Sequence, residues 1–108
     1  MAQTYIVSGA NITSASVYSN IYTCPNATTS MINSVYLGNT GAGDTSATIK
    51  LTVDSASESY QIITNVLVPK QATLQPLSAP LVLEQSDSLH ALDASGFLDV
   101  VVNVLEIT

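Results

Sequence analysis

The sequence contains few of the side chains that carry catalytic or ligand-binding chemistry. Its 108 residues include one cysteine, one histidine, no tryptophan and two basic residues, Lys50 and Lys70. A single cysteine cannot form a disulfide within the chain, so the fold is not expected to depend on an oxidising compartment. One histidine and one cysteine also cannot supply a structural zinc site. We therefore predict no metal and no cofactor.

Charge is equally scarce. Charged residues make up 9% of the chain and the formal net charge is −6, whereas typical domains are about 25% charged. The acidic residues are scattered and there is no basic patch, so neither nucleic acid nor an anionic membrane is expected as a partner. No apolar run approaches the roughly 20 residues of a membrane span, and the N-terminus lacks the features of a secretory signal.

The closing stretch 81–108 holds the only histidine, with serines and aspartates beside it. In a strand "SLHALD", Ser88 and His90 would share a face at a separation of about 6.6 Å, which predicts that they do not bond directly. Asp87 and Asp93 would project to the opposite face, so no nucleophile–base–acid trio is expected. Glycine-rich phosphate loops and dinucleotide fingerprints are also absent from the sequence. The chain is therefore predicted not to be an enzyme.

One alternative site would combine carboxylates from separate loops. Loops cluster at the ends of a sandwich, where four aspartates could meet and bind a hard cation. These are Asp44, Asp54, Asp87 and Asp93. The sequence lacks the alternating Asp/Asn and closing Glu of a calcium loop, so this is the lesser alternative.

Strand patterns fill most of the chain. In "ATIKLTVD" (47–54), apolar and polar side chains alternate strictly, as in a half-buried antiparallel strand. The turn "SASES" and the β-branched run "YQIITNVLVP" follow, which predicts a hairpin. Further strands are indicated by "TYIVSG", "SVYSNIYTC", "MINSVYLGN", "ATLQPLS", "LVLE", "SLHALDA" and "FLDVVVNVLEI". The predicted fold class is all-β: one antiparallel β-sandwich domain, residues 1–108, of about eight strands.

Two segments are apolar on both faces, "VVVNVLEI" (100–107) and "IITNVLV" (62–68). A two-sheet sandwich covers only one face of each strand, so another subunit is expected to cover the second face. A coiled sheet or a sandwich corner that buries both faces internally is the alternative. The predicted subunit-contact residues are Ile62, Ile63, Val66, Val68, Val100, Val101, Val102, Val104 and Leu105.

Several segments together resemble the small virion structural proteins of tailed bacteriophages, especially those of marine phages and cyanophages. They are "IYTCPNATTSMINSVYLGNT" (21–40), "ATIKLTVD", "NVLVPKQATLQPL" (65–77) and "LVLEQSDSLHALDASGFLDVVVNVLEI" (81–107). Where that family usually has a glycine before its Asp-Ser-Leu step, this chain has Ser86.

The resemblance implies a compact β-sandwich, often a jelly roll, with no enzymatic activity and no cofactor. It implies a capsid decoration (cement) protein, commonly a homotrimer, whose partners are the major capsid protein or other virion proteins. Such a protein would be made in the host bacterial cytoplasm and reside in the virion. It would stabilise the head by bridging capsid subunits, since linked weak contacts raise the overall affinity.

Two alternatives stay open. A neck, tail, baseplate or fibre component of the virion would have the same composition. A receptor- or carbohydrate-binding sandwich would need a cluster of exposed aromatic side chains, for which the candidates are Tyr5, Tyr18, Tyr22, Tyr36 and Tyr60.

Overall fold

A computed structural model describes residues 3–77 and 79–108 of the chain. Within these ranges the chain forms nine β-strands and one short 3-10 helix, Asp54–Ala56. The strands are β1 (Gln3–Ile12), β2 (Ser19–Thr23), β3 (Thr29–Asn39), β4 (Thr45–Val53), β5 (Glu58–Val68), β6 (Thr73–Leu74), β7 (Leu81–Leu83), β8 (Ser88–Asp93) and β9 (Leu98–Ile107). The predicted all-β class is confirmed.

The strands form two antiparallel sheets. Sheet 1 has the order β1–β9–β3, and the short strands β6 and β7 both pair with the other side of β3. Sheet 2 has the order β2–β8–β4–β5. If β6 and β7 are taken as one interrupted strand, successive strands alternate between the sheets except at the β4–β5 hairpin, which is the order of an eight-stranded jelly roll. The predicted sandwich is therefore confirmed, and its connectivity is that of a jelly roll.

The core lies between the two sheets and is built from alternate residues of each strand. β9 contributes most regularly, because it lies between β1 and β3 and turns every second side chain inward. Each large aliphatic side chain removed from water stabilises the fold by roughly 1.5–3 kcal/mol. The largest fully buried side chains are Ile12, Ile32, Leu37, Ile49, Leu83, Leu89, Leu98, Val35, Val68, Val100, Val102 and Val104.

The hairpin predicted from 47–69 is present as β4 and β5. The chain turns through the 3-10 helix and through Ser57, whose φ of 52° lies in the left-handed region. The pairing is not regular, since the register shifts twice near Ile49. At the irregularity the backbone N–H of Asn65 donates to Thr48 Oγ1 at 3.0 Å instead of continuing the ladder. β5 is therefore a bent edge strand.

Two predicted strands are shorter than their sequence patterns indicate. In "SVYSNIYTC" only Ser19–Thr23 is a strand. In "ATLQPLS" the strand is limited to Thr73–Leu74, just before Gln75 and Pro76, because proline cannot donate to a sheet ladder. Ser78, at the end of that prediction, lies outside the described residues.

Candidate interaction surface

The side of sheet 1 that faces away from the core is the candidate interaction surface. Strand register sets its composition, because residues that pair across β1, β9, β3 and β7 on this side form rows. One row crosses all four strands and consists of Tyr5, Leu105, Met31 and Val82. Every member of the row is an apolar or aromatic side chain that faces away from the core; Tyr5 and Val82 are exposed, and Met31 and Leu105 are half-buried.

Two further rows lie beside the first. Val101 of β9 has Gly9 of β1 on one side and Tyr36 of β3 on the other. The other row lies between the Val101 row and the first row, and in it Val7 of β1 is opposite Asn103 of β9. The amide of Asn103 donates to Ser34 Oγ at 2.8 Å. That bond leaves the middle of the surface with one polar pair surrounded by apolar groups. We call the apolar members the outer patch: Tyr5, Val7, Met31, Tyr36, Val82, Val101 and Leu105.

Several members of the outer patch are unusually open to solvent. Tyr5 is 76% exposed, Val7 71% and Val82 53%. Exposed apolar side chains scattered singly are ordinary, whereas a contiguous set on one sheet face makes that face a candidate for an interaction. Strand spacings of about 4.8 Å and a rise of about 3.4 Å per residue give the patch a size of roughly 15 Å by 14 Å.

The structure corrects the assignment of four of the nine predicted subunit-contact residues, and the other five stay predictions. Val68, Val100, Val102 and Val104 are 0–1% exposed and lie in the core of a single copy, which leaves them no surface for a neighbour. Three others on β5 are partly buried and pack against the same core, so the chain itself covers much of their surface: Ile62, Ile63 and Val66. Val101 and Leu105 do point outward on sheet 1, and their place at an interface stays a prediction.

Of the remaining outer patch, Tyr5 and Tyr36 were predicted only as candidate receptor-binding aromatics, and the sequence argument missed Val7, Met31 and Val82. β9 was correctly identified as apolar on both faces, but its neighbours on the outer side come from strands distant in the chain. In β1 the signal was present, since Tyr5 and Val7 are apolar residues two apart in a strand whose inward face is also apolar. In β3 it was hidden by a bulge at Asn33, after which the outward positions change parity.

The outer face of sheet 2 is mostly polar by contrast, although Leu67 of β5 lies on it and is 56% exposed. Ser88, His90, Lys50 and Thr52 point outward from β8 and β4, with Lys50 directly opposite His90. The prediction that Ser88 and His90 do not bond is wrong, because Ser88 Oγ and His90 Nε2 are 3.0 Å apart. The prediction used the spacing along the backbone, but a serine and a histidine side chain that lean toward each other close that gap.

The Ser88–His90 pair does not become a catalytic trio within the described part of the chain. Its nearest charged neighbour is the ammonium of Lys50, whose Nζ lies 4.1 Å from the centre of the Tyr18 ring. Burial, and after it the charge of Lys50, holds the pKa of His90 below its ordinary value. The histidine of a catalytic trio lies beside a negatively charged carboxylate, whereas the charge beside His90 is the positive one of Lys50.

The four aspartates considered for a cation do not meet. Asp44 and Asp93 lie at the end of sheet 2 where β4 begins, whereas Asp54 and Asp87 lie where β4 ends. Nine strand residues of β4 lie between Asp44 and Asp54, and six steps along β8 separate Asp87 from Asp93, so the two pairs are roughly 20–30 Å apart. Within residues 3–77 and 79–108, no three histidine, cysteine or acidic side chains are close enough to hold a metal ion.

Asp93 has a structural task instead. It is fully buried, and its Oδ2 accepts hydrogen bonds from Thr45 Oγ1 at 2.9 Å and from the backbone N–H of Gly96 at 2.8 Å. The N–H groups of Ser95 and Phe97 approach the same oxygen. The carboxylate therefore holds the "DASG" turn (93–96) between β8 and β9.

A buried polar network closes the other end of the sandwich. The hydroxyl of Tyr22, which is 5% exposed, donates to Glu106 and lies 2.7 Å from Ser30 Oγ. The same serine is 3.1 Å from the thiol of Cys24. Burial, and after it the bond to Glu106, raises the pKa of Tyr22 above its ordinary value. Cys24 itself is 2% exposed.

An open groove of about 630 Å³ lies next to this end of the outer patch. It is lined by Ala27, Thr28, Thr29, Val82, Glu84, Gln85, Ile107 and Thr108. In the described part of the chain no helix has the length and hydropathy to cross a bilayer.

Comparison with known proteins shows the fold alone. No protein-family model matches the sequence, and no curated protein matches it. The chain is similar to a solved structure from work titled "Bacillus endospore appendages form a novel family of disulfide-linked pili", with a TM-score of 0.57 and 16% sequence identity. The match covers 99% of this chain and 87% of the other. Both chains therefore have the same small all-β architecture.

Proposed function

We propose that this chain is a non-enzymatic structural subunit of a multi-protein particle. The observation that carries the proposal is the difference between the two outer faces of the sandwich. One is mostly polar, with Leu67 as its exposed apolar side chain, whereas the other carries the outer patch across all its long strands. A soluble monomer gains nothing from exposing that patch, but a subunit that packs against neighbours buries it.

The proposed place of the subunit is the virion of a tailed bacteriophage, assembled in the host bacterial cytoplasm. There it would decorate the head, bridge major capsid proteins and stabilise the shell. The support for this place is the sequence resemblance of 21–40, 47–54, 65–77 and 81–107. A homotrimer, as in decoration proteins of that kind, stays part of the proposal.

A second candidate is a subunit of a fibre or other appendage, including a tail or fibre part of the virion. The observation that favours it is the shared fold with a protein of endospore appendages, which form pili. The disulfide links of those pili have no evident counterpart in Cys24, since this thiol is 2% exposed and lies between Ser30 and the Thr28 carbonyl.

The two candidates are separated by adding the purified protein to phage capsids that lack their decoration layer. A decoration protein saturates the shell in proportion to the major capsid protein and raises the temperature at which the shell opens. An appendage subunit leaves the capsids bare and forms filaments by itself in electron micrographs. A protein that does neither at any concentration contradicts the proposed function.

The outer patch supplies the matched variants for that experiment. Tyr36→Ser changes the patch, and Tyr60→Ser removes a tyrosine of comparable exposure from β5, where it lies outside the patch (40% and 53% exposed). Loss of binding or assembly is expected for the first variant only. If a glycan binds instead and both variants weaken it, the receptor-binding alternative gains support.

A further inference from the structure

The free edge of β1 is the feature of the fold most suited to a specific contact. β1 forms one end of sheet 1 and, within residues 3–77 and 79–108, pairs only with β9. Its register with β9 is unbroken over ten residues, from Gln3 opposite Ile107 to Ile12 opposite Leu98. The backbone groups that point away from β9 therefore form a long, straight row of donors and acceptors.

Four of the usual protections of a sheet edge are missing from β1, which is ten residues long and therefore not a short edge strand. Its sequence, "QTYIVSGANI", has no charged residue, no proline and no bulge. The other edges are interrupted: β5 and β2 have register shifts, and β6 and β7 are two and three residues long. Pairing with an added strand is therefore expected at β1 before any other edge.

We propose that β1 pairs antiparallel with β1 of a second copy, about a two-fold axis that passes through Val7. This inference rests on the proposed role as an assembly subunit and names one of its contacts. The pairing joins sheet 1 of both copies into one continuous sheet. It also joins the two outer patches into one larger apolar surface. A single patch of roughly 15 Å by 14 Å is small compared with the ~800 Å² that each partner buries in a standard interface.

The side chains select this register. Residues two apart share a face, so a shift by one position would put the outward Tyr5 opposite an inward side chain. With Val7 on the axis, Tyr5 lies opposite Gly9 of the second copy. Position 9 cannot carry a side chain, because a Cβ there would come within 2.7 Å of the Val100 carbonyl oxygen. An aromatic ring from the facing strand covers such a glycine.

Charge favours a second copy at this edge. Each chain has a formal net charge of −6, which opposes close approach of most surfaces. β1 is uncharged throughout, and the nearest acidic residues of sheet 1, Asp99 and Glu106, lie one strand further in on β9. A two-fold contact of one patch with itself is closed, so by itself it gives a dimer. Together with a separate trimer contact it would link trimers.

Cysteine cross-linking tests the register in the full chain. In Val7→Cys the two thiols face each other across the axis, so mild oxidation is expected to give a covalent dimer on a non-reducing gel. Tyr5→Cys is the matched control, since its thiol faces Gly9 and is expected to stay monomeric. No dimer with Val7→Cys, or as much with Tyr5→Cys, overturns the proposed pairing.

Charge insertion separates edge pairing from stacking of the outer patches. Val7→Lys places two ammonium groups at the axis, whereas Val82→Lys adds the same charge to an exposed valine at the opposite edge of sheet 1. In sedimentation velocity, we expect the dimer to be lost with Val7→Lys and kept with Val82→Lys. Equal loss in both variants, or a wild-type protein that is monomeric at all concentrations, contradicts edge pairing. Capsid binding by such a monomer would leave the proposed function standing.

Discussion

Adjacent valines on β9 provide a direct test of which face of the strand belongs to the core. Val100 is 1% exposed and lies between Ala10 of β1 and Leu37 of β3, whereas Val101 is 38% exposed on the outer face. Replacing valine by threonine keeps the shape and the preference for strands but adds a hydroxyl group. The same substitution at the two positions should therefore have very different effects.

Val100→Thr is expected to lower the free energy of unfolding by about 2 kcal/mol. A buried hydroxyl that lacks a hydrogen-bond partner costs roughly 1–3 kcal/mol, and the side chains paired with position 100 offer no polar group. At about 4–8 °C per kcal/mol, the melting temperature should fall by roughly 8–16 °C. Val101→Thr should stay within about 0.5 kcal/mol of the wild type.

Urea denaturation followed by circular dichroism measures both variants, at protein concentrations that span a hundredfold range. If Val100 were covered by a neighbouring subunit rather than by its own fold, its destabilisation would disappear on dilution. That result, or an equal loss at positions 100 and 101, would refute the assignment of the inner and outer faces.

Three further predictions concern polar groups. Tyr22→Phe is expected to weaken the dependence of stability on alkaline pH. In the wild type the pKa of Tyr22 is higher in the folded than in the unfolded state, which stabilises the fold. This stabilisation is complete below about pH 10 and is lost as the pH rises through the folded-state pKa. Lys50→Gln is expected to move the NMR titration midpoint of His90 upward, but not fully to about 6.5, because burial lowers this pKa more than the lysine does. Asp93→Asn is expected to cost about 1–2 kcal/mol in urea denaturation, because hydrogen bonds to a charged acceptor are stronger than those to an amide.

Each of these predictions has a specific control. Tyr60→Phe changes an exposed hydroxyl and should leave the alkaline profile unaltered. The lowered pKa of His90 means that the fold favours the neutral imidazole. This preference stabilises the folded state above about pH 6.5, and the stabilisation is lost as the pH falls through the folded-state pKa of His90. A midpoint unmoved by Lys50→Gln would remove the lysine from the explanation. Asp44→Asn changes an exposed carboxylate that accepts one hydrogen bond, from the backbone N–H of Lys70 at 2.9 Å, and should cost less than Asp93→Asn. An equal loss at both aspartates would contradict the role given to Asp93.

The sequence alone predicted the strand content, the β4–β5 hairpin and the alternation of β4 between its two faces. These features depend on short-range patterns, because alternation and turn residues act over a few positions. The apolar character of both faces of β9 was also visible. What such a pattern leaves open is which of the two faces packs on the opposite sheet.

The tertiary structure decided that question and most of the candidate site. β9 pairs with β1 and β3, two strands from the first 39 residues of the chain. This pairing places Val100 and Val102 on the side of sheet 1 that packs against sheet 2, and they are buried for that reason. The outer patch exists because these same distant strands align Tyr5, Met31 and Leu105 in one row. Register between strands far apart in sequence is a long-range property, and a single bulge changes the side to which every later residue points.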